Sequence, residues 1–280
     1  MEYVTHHGRA TAYRHSDRGG EGTPLCLLHG SGGESGVWRS QFRLSDRSPV
    51  VAPEFGGHGD SDDVRAAPGY ETLSAYADDA LAALDGAGYA PEESAFVGSS
   101  MSGAVCLHLA VERGLSPRAL VLAGSGPRLP VLDDLRTWLA DETTVPDGST
   151  GAETDGFKRA LAFLHAPGRL FADAGDRLHE QSREAMRAAG RTVVRRDFET
   201  CHGFDVRGDL DGVETPTLAV VGEYDRLTPR RFHEELVDGL PDAELAVVED
   251  AGHLAMLERP RAFNAAVREF LERRVDRGGQ

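Results

Sequence analysis

Short apolar runs recur along the chain, separated by longer amphipathic stretches. "PLCLLHG" (24–30), "SPVVAPE" (48–54), "SAFVG" (94–98), "RALVLAG" (118–124), "TPTLAVVG" (215–222) and "AELAVVE" (243–249) are mostly apolar and bounded by Gly, Pro or polar residues. That pattern predicts strands buried on both faces of a parallel sheet. Residues 1–15 alternate loosely around Gly8 and predict a β-hairpin. Between the runs, Leu73, Tyr76, Ala77, Ala80, Leu81 and Leu84 keep helical spacing, as do Phe263, Ala266, Val267, Phe270 and Leu271. Strands alternating with helices place the chain in the α/β class.

The alternation stops between about 127 and 207. Helix-like patterns such as "LDDLRTWLAD" and "KRALAFLHA" flank the polar loop "ETTVPDGSTGAETDG", and no strand is evident. A helical segment without a sheet of its own must bury Trp138, Phe157, Phe163 and Phe171 elsewhere. The expectation is a helical cap (127–207) inserted between two core halves (1–126 and 208–280) and packed over one end of the sheet. Trp138 is the expected substrate contact from this cap, and the stretch 141–156 suits a moving lid.

Composition narrows the function by exclusion. Net charge is −16, and Lys158 is the sole lysine among 30 basic residues. Such acidity disfavours binding to nucleic acid or to an anionic membrane. It suits a salt-rich cytoplasm and, equally, a codon bias toward Arg, so charge selects no activity. No apolar stretch approaches the ~20 residues of a membrane span. The first residues hold no apolar leader core, and Cys26, Cys106 and Cys201 are odd in number and scattered. A cytoplasmic protein with free thiols is expected, and no Cys/His spacing suggests a metal site.

The candidate chemistry begins at "SAFVGSSMSG" (94–103), where serines crowd the end of a strand. A nucleophile exposed on a sharp strand-to-helix turn needs small residues two before and two after it. Ser100, between Gly98 and Ser102, meets that condition. Ser99 has Val97 at the crowded position, and Ser102 would lie a turn into the helix. A serine needs a base, and the base needs a carboxylate to fix its tautomer. "GEYDRLTP" supplies Asp225 just past a strand end, and "EDAGHLAMLERP" supplies His253 in the loop after the last strand. All three lie at carboxyl ends of strands, where α/β sheets gather their sites. The oxyanion would be held by backbone N–H groups: that of Met101, following the nucleophile, and that of Ser31 in "LLHGSGG" (27–33). His29 is read as a structural hydrogen-bonding residue.

"LLHGSGG", "VVAPEFGGHGDSD" (50–62), "VGSSMSGA" (97–104), and "GEYDRLTP" with "GHLAMLERPRAFNAAVREFL" (252–271) together resemble the α/β-hydrolase superfamily, in its small helical-cap branch of carboxylesterases and enol-lactonases. The order Ser100, Asp225, His253 is that of the superfamily. The resemblance implies the α/β-hydrolase fold, a mostly parallel eight-stranded sheet flanked by helices with an inserted helical cap, and structural roles for His58 and Ser61. It implies a cofactor-independent hydrolase of a small-molecule ester, thioester or lactone, acting as a monomer or homodimer. C–C bond hydrolases or lyases of the same fold are the alternative, and a ligand-binding receptor a more distant one. Relatives with an aspartate nucleophile are excluded by Ser100. The other position for the triad acid reads "LAGSGP" (122–127), without a carboxylate, which favours Asp225.

Overall fold

The computed structural model describes residues 1–141 and 155–276. The polar loop expected over 142–156 lies, apart from Asp155 and Gly156, outside the described residues, and so does the lid motion argued from 141–156.

The hairpin forms as expected. β1 (Glu2–His6) and β2 (Arg9–Ser16) meet at His7 and Gly8, both at positive φ (48° and 76°), the conformation that tight hairpin turns require. The apolar runs become β3 (Leu25–Leu28), β4 (Val50–Pro53), β5 (Ala95–Ser99), β6 (Ala119–Ala123), β7 (Thr217–Gly222) and β8 (Ala243–Val248). They form one eight-stranded sheet of order β1-β2-β4-β3-β5-β6-β7-β8. β2 pairs antiparallel with β1 and β4, and every later pairing is parallel. β3 to β7 are buried throughout. β8 departs from the expectation: it is mostly half-buried, with Val247 41% exposed, because it is an edge strand with β7 as its one neighbour.

Along the chain the helices are α1 (Tyr70–Gly86), α2 (Met101–Val111), α3 (Asp133–Ala140), α4 (Asp155–Leu164), α5 (Asp176–Gly203), α6 (Arg230–Gly239), α7 (Ala255–Glu258) and α8 (Pro260–Leu271). Side chains alternate across a strand, so each strand feeds two cores. Leu28 and Phe96 join Tyr76, Leu84, Met101 and Leu236 on one face. Leu27 and Val97 join Trp38, Phe263 and Phe270 on the other.

Helices α3 to α5 lie between β6 and β7 and gather a third cluster, including Leu139, Phe157, Leu161, Phe171, Met186 and Val194. No strand element occurs among the described residues of this insertion; a single bridge pairs Arg128 with Asp205. α5 is broken at Gly190, which is non-helical (φ 79°, ψ 163°). None of the described helices is long and apolar enough to cross a membrane.

Candidate active site

β5 passes directly into α2, with Ser100 between them. Ser100 has φ 57° and ψ −119°, a conformation that an L-residue keeps only when its surroundings impose it. Its N–H donates to Ala123 O on β6 (2.8 Å), and its carbonyl accepts Gly103 N–H (3.0 Å). The neighbours must be small. A Cβ on Gly98 would stand 2.5 Å from Ser102 O and 2.8 Å from the Cys106 sulfur; one on Gly30 would stand 3.1 Å from Ser100 Cβ.

Ser102 was expected only to be small, and the structure corrects that. Its buried hydroxyl accepts Ser99 N–H at 2.7 Å and donates to Leu28 O at 2.6 Å, with Ser99 O at 2.9 Å as a second acceptor. It ties the end of β3 to the turn, which a glycine there could not do. Ser99 is also buried, and its hydroxyl has no hydrogen-bond partner among the described residues. Met101 is the first residue of α2, so its N–H lacks an intrahelical acceptor and lies at the positive end of the helix dipole.

Asp225, in the turn after β7, and His253, in the loop between β8 and α7, are both buried and meet at 2.9 Å, His253 Nδ1 to Asp225 Oδ2. The turn saturates the carboxylate: Oδ1 accepts the N–H groups of Leu227 and Thr228, both at 2.9 Å, and Oδ2 accepts the Thr228 hydroxyl at 2.8 Å. Burial opposes ionisation of Asp225, but His253 and the Thr228 donors outweigh it and hold the carboxyl below its ordinary range. The sequence reading missed Thr228. Its signal was a threonine three residues after an acid in a turn, a local side-chain cap.

The imidazole stands against Gly124, at φ 56°, where a Cβ would come within 3.1 Å of both His253 Nδ1 and Cε1. Behind it, Glu258 accepts Gly252 N–H at 2.6 Å and the N–H groups of Ala172 and Asp173 at 2.9 and 3.0 Å. The His253 loop is thereby stapled to the inserted segment.

His29 is structural, as expected: Nδ1–H donates to Gly30 O (2.9 Å), and Nε2 accepts Phe55 N–H (3.1 Å). Burial and the nearby His58 push its pKa down to about 3, so it is neutral near pH 7. Ser61 links the backbones of Ala12 and Glu54, and His58 bonds to Asp197 at 2.9 Å.

Ser31, Ser100 and His253 line one cavity of about 1210 Å³, whose apolar wall includes Leu129, Leu135, Phe163, Leu170 and Met186. Trp138 is absent from the described residues that line it. It packs edge-on against Phe163, with centroids 5.6 Å apart, and Phe163 takes the place at the cavity expected of it. α3 presents Leu135 to the cavity and turns Trp138, three residues on, toward α4.

Residues 27–266 match the model of the alpha/beta hydrolase family. The chain is 31% identical over 255 residues to a pimeloyl-[acyl-carrier protein] methyl ester esterase of Neisseria meningitidis serogroup B (strain H44/76), covering 89% of this chain and 92% of the relative. It is also 31% identical over 283 residues to the polyketide synthase ThaQ of Burkholderia thailandensis, which is 94% of this chain but spans only 12% of that protein's length. Among solved structures, a thermophilic esterase superposes with a TM-score of 0.79 at 27% identity, over 97% of each chain.

Proposed function

Since this chain belongs to the alpha/beta hydrolase family, we propose that it is a serine hydrolase cleaving a small carboxylic ester, thioester or lactone through Ser100, His253 and Asp225. The observation that carries the reading is one cavity bounded by a strained serine at a strand–helix turn and by a histidine whose Nδ1 is held by a buried carboxylate.

Asp225 occupies Nδ1, which leaves Nε2 to take the Ser100 proton. Ser100 Oγ attacks the carbonyl carbon, and the oxyanion is held by the N–H groups of Met101 and Ser31. Collapse breaks the bond to the leaving oxygen or sulfur, which receives the proton from His253. Water then gives a proton to His253 and attacks the acyl-enzyme; the acid departs and Ser100 regains its hydrogen. No step calls for a cofactor. The cavity exceeds the ~300–1,000 Å³ of ordinary small-molecule pockets, so it has room for an acyl group and a leaving group together. The inserted helices that line it act as its cap.

Two measurements test the reading. The protein is expected to turn over p-nitrophenyl acetate and butyrate, unaffected by EDTA. A fluorophosphonate should label one site, with the added mass on the peptide carrying Ser100. Labelling elsewhere, or turnover abolished by EDTA and restored by a divalent ion, would refute it.

A further inference from the structure

Asp197 lies on α5 beyond the Gly190 break, and none of it is exposed. A carboxylate taken out of water must be surrounded by donors. Oδ2 accepts Gly32 N–H and His58 Nε2, each at 2.9 Å, and Oδ1 accepts the Tyr76 hydroxyl at 2.7 Å. Burial would raise this carboxyl, yet His58, Tyr76 and Gly32 hold it below its ordinary range. Tyr76 lies on α1 and His58 in the loop that follows β4. Gly32 belongs to the loop that carries Ser31.

Peptide units are planar, so the aim of an N–H follows from how its plane is held. The plane containing Ser31 N–H is fixed at its other end, where Gly30 O accepts His29 Nδ1–H at 2.9 Å and Gly33 N–H at 3.0 Å. The next plane, from Ser31 C=O to Gly32 N–H, is fixed by Asp197. Ser31 therefore sits between two held planes, and one of the two anchors comes from the insertion. The same helix presses on the loop sterically: Gly32 is at φ 61°, and a Cβ there would stand 2.9 Å from Met186 Cγ and 3.1 Å from Val194 Cγ2. Four residues after Asp197, Cys201 Sγ meets Ser31 Oγ at 3.9 Å.

We propose that Asp197 is a positioning residue for oxyanion stabilisation: from the inserted helix it fixes the Gly32 peptide and so aims the Ser31 N–H at the charge that develops on the substrate oxygen. The inference rests on Ser100 as nucleophile and Ser31 as oxyanion donor. It makes the part of α5 beyond Gly190 a member of the catalytic frame. A built-in comparator adjoins it. Arg196 anchors the same turn of α5 to Asp63 Oδ1 (2.8 Å), Val64 O (2.6 Å) and Gly56 O (2.8 Å). It also donates to the Tyr76 hydroxyl (3.1 Å), whose own hydrogen Asp197 accepts, but makes no bond to the Ser31 loop.

The test compares Asp197→Ala, Asp197→Asn and Arg196→Met by p-nitrophenyl acetate kinetics, by affinity for a boronic acid that forms a tetrahedral adduct on serine, and by urea unfolding. Outright loss of an oxyanion donor costs ~10²–10³ in kcat, and misaiming one should cost Asp197→Ala about 10–100-fold. KM should stay within about threefold, and boronate affinity should fall in step with kcat. Asp197→Asn keeps the volume and one acceptor oxygen, so it should fold and lie between wild type and Asp197→Ala; it carries the comparison if the alanine variant does not fold. Arg196→Met should lose stability yet keep kcat within about threefold. Wild-type kcat and boronate affinity in the Asp197 variants would overturn the inference. So would equal losses in Arg196→Met, since the effect would then belong to the Arg196–Tyr76–Asp197 packing as a whole and not to the bond between Asp197 and Gly32. Failure of the broader reading looks different, because Ser100→Ala would still turn substrate over.

Discussion

Ser100 and Ser102 stand two positions apart and answer to different constraints. Ser100 holds a positive φ and lines the cavity, whereas Ser102 spends its hydroxyl on the backbone of Ser99 and Leu28. Ser100→Ala is therefore expected to lower kcat by at least roughly 10³-fold without affecting folding, since the members of the proposed triad would act as a unit. Ser102→Ala takes the hydroxyl away from the buried Ser99 N–H and Leu28 carbonyl, a loss of about 1–3 kcal/mol. It should unfold at lower urea while keeping most of its activity below its transition. Kinetics and urea melts on the two variants check this, and the opposite pattern would move the nucleophile to Ser102. Thr228 shows how a site extends past its named members: its N–H and hydroxyl both serve the Asp225 carboxylate, which keeps the acceptor for His253 ionised and oriented.

At the level of elements, the inserted helices supply much of the cavity wall. Phe163 lines the cavity on α4, Trp138 braces it edge-on from α3, and the Arg169 guanidinium lies 4.3 Å over its ring. Phe163→Ala opens the acyl wall and should shift preference toward longer chains. One or two methylenes in an apolar pocket are worth ~1–3 kcal/mol, so the octanoate-to-acetate ratio of kcat/KM should rise about tenfold or more. Trp138→Ala removes only the brace and should lower stability by about 1–3 kcal/mol with a nearly parallel loss at every chain length. An acyl-chain series on both variants checks the pair. A chain-length shift confined to Trp138→Ala would return the pocket role to Trp138.

The whole molecule should be sensitive to acid. Burial pushes His29 down to about 3 and His233, whose Nε2 accepts Ser125 N–H, down to about 4. Both are neutral in the fold, while in the unfolded chain a histidine protonates below about 6.5. Unfolding therefore takes up protons between that value and the folded one. Stability is complete above about pH 6.5 and falls as pH drops toward about 4, by up to ~1.4 kcal/mol per pH unit for each histidine. Asp225 and Asp197, both held low, add loss of the same sign as pH falls below the ordinary carboxylate range. Urea midpoints at pH 7.5, 6 and 5 should decline steadily, and less steeply in His233→Gln at the acid end. A flat series would show that these histidines do not govern the transition.

What the sequence determined by itself was local. Apolar runs became strands because a parallel sheet buries both faces of each, and His7-Gly8 turned because few residue pairs tolerate that backbone. Ser100 was legible because the turn's steric demand falls on residues within two positions of it. Asp225 and His253 could be singled out because they follow strand ends, and the structure brings them to 2.9 Å. What lay beyond reach of the sequence depends on which faces meet. Asp197 is 165 positions from Gly32 and 121 from Tyr76, and in the sequence it is one more acid on a long polar helix. Trp138 and Phe163 have the same character as isolated aromatics, and only the rotation of α3 against α4 turns one to the cavity and the other behind it. The exposure of β8 likewise follows from its place at the sheet's edge, which β7 and the order of the strands decide. Periodicity and sterics act over a few residues and are written in order along the chain. The orientation of packed helices is a property of all their contacts at once.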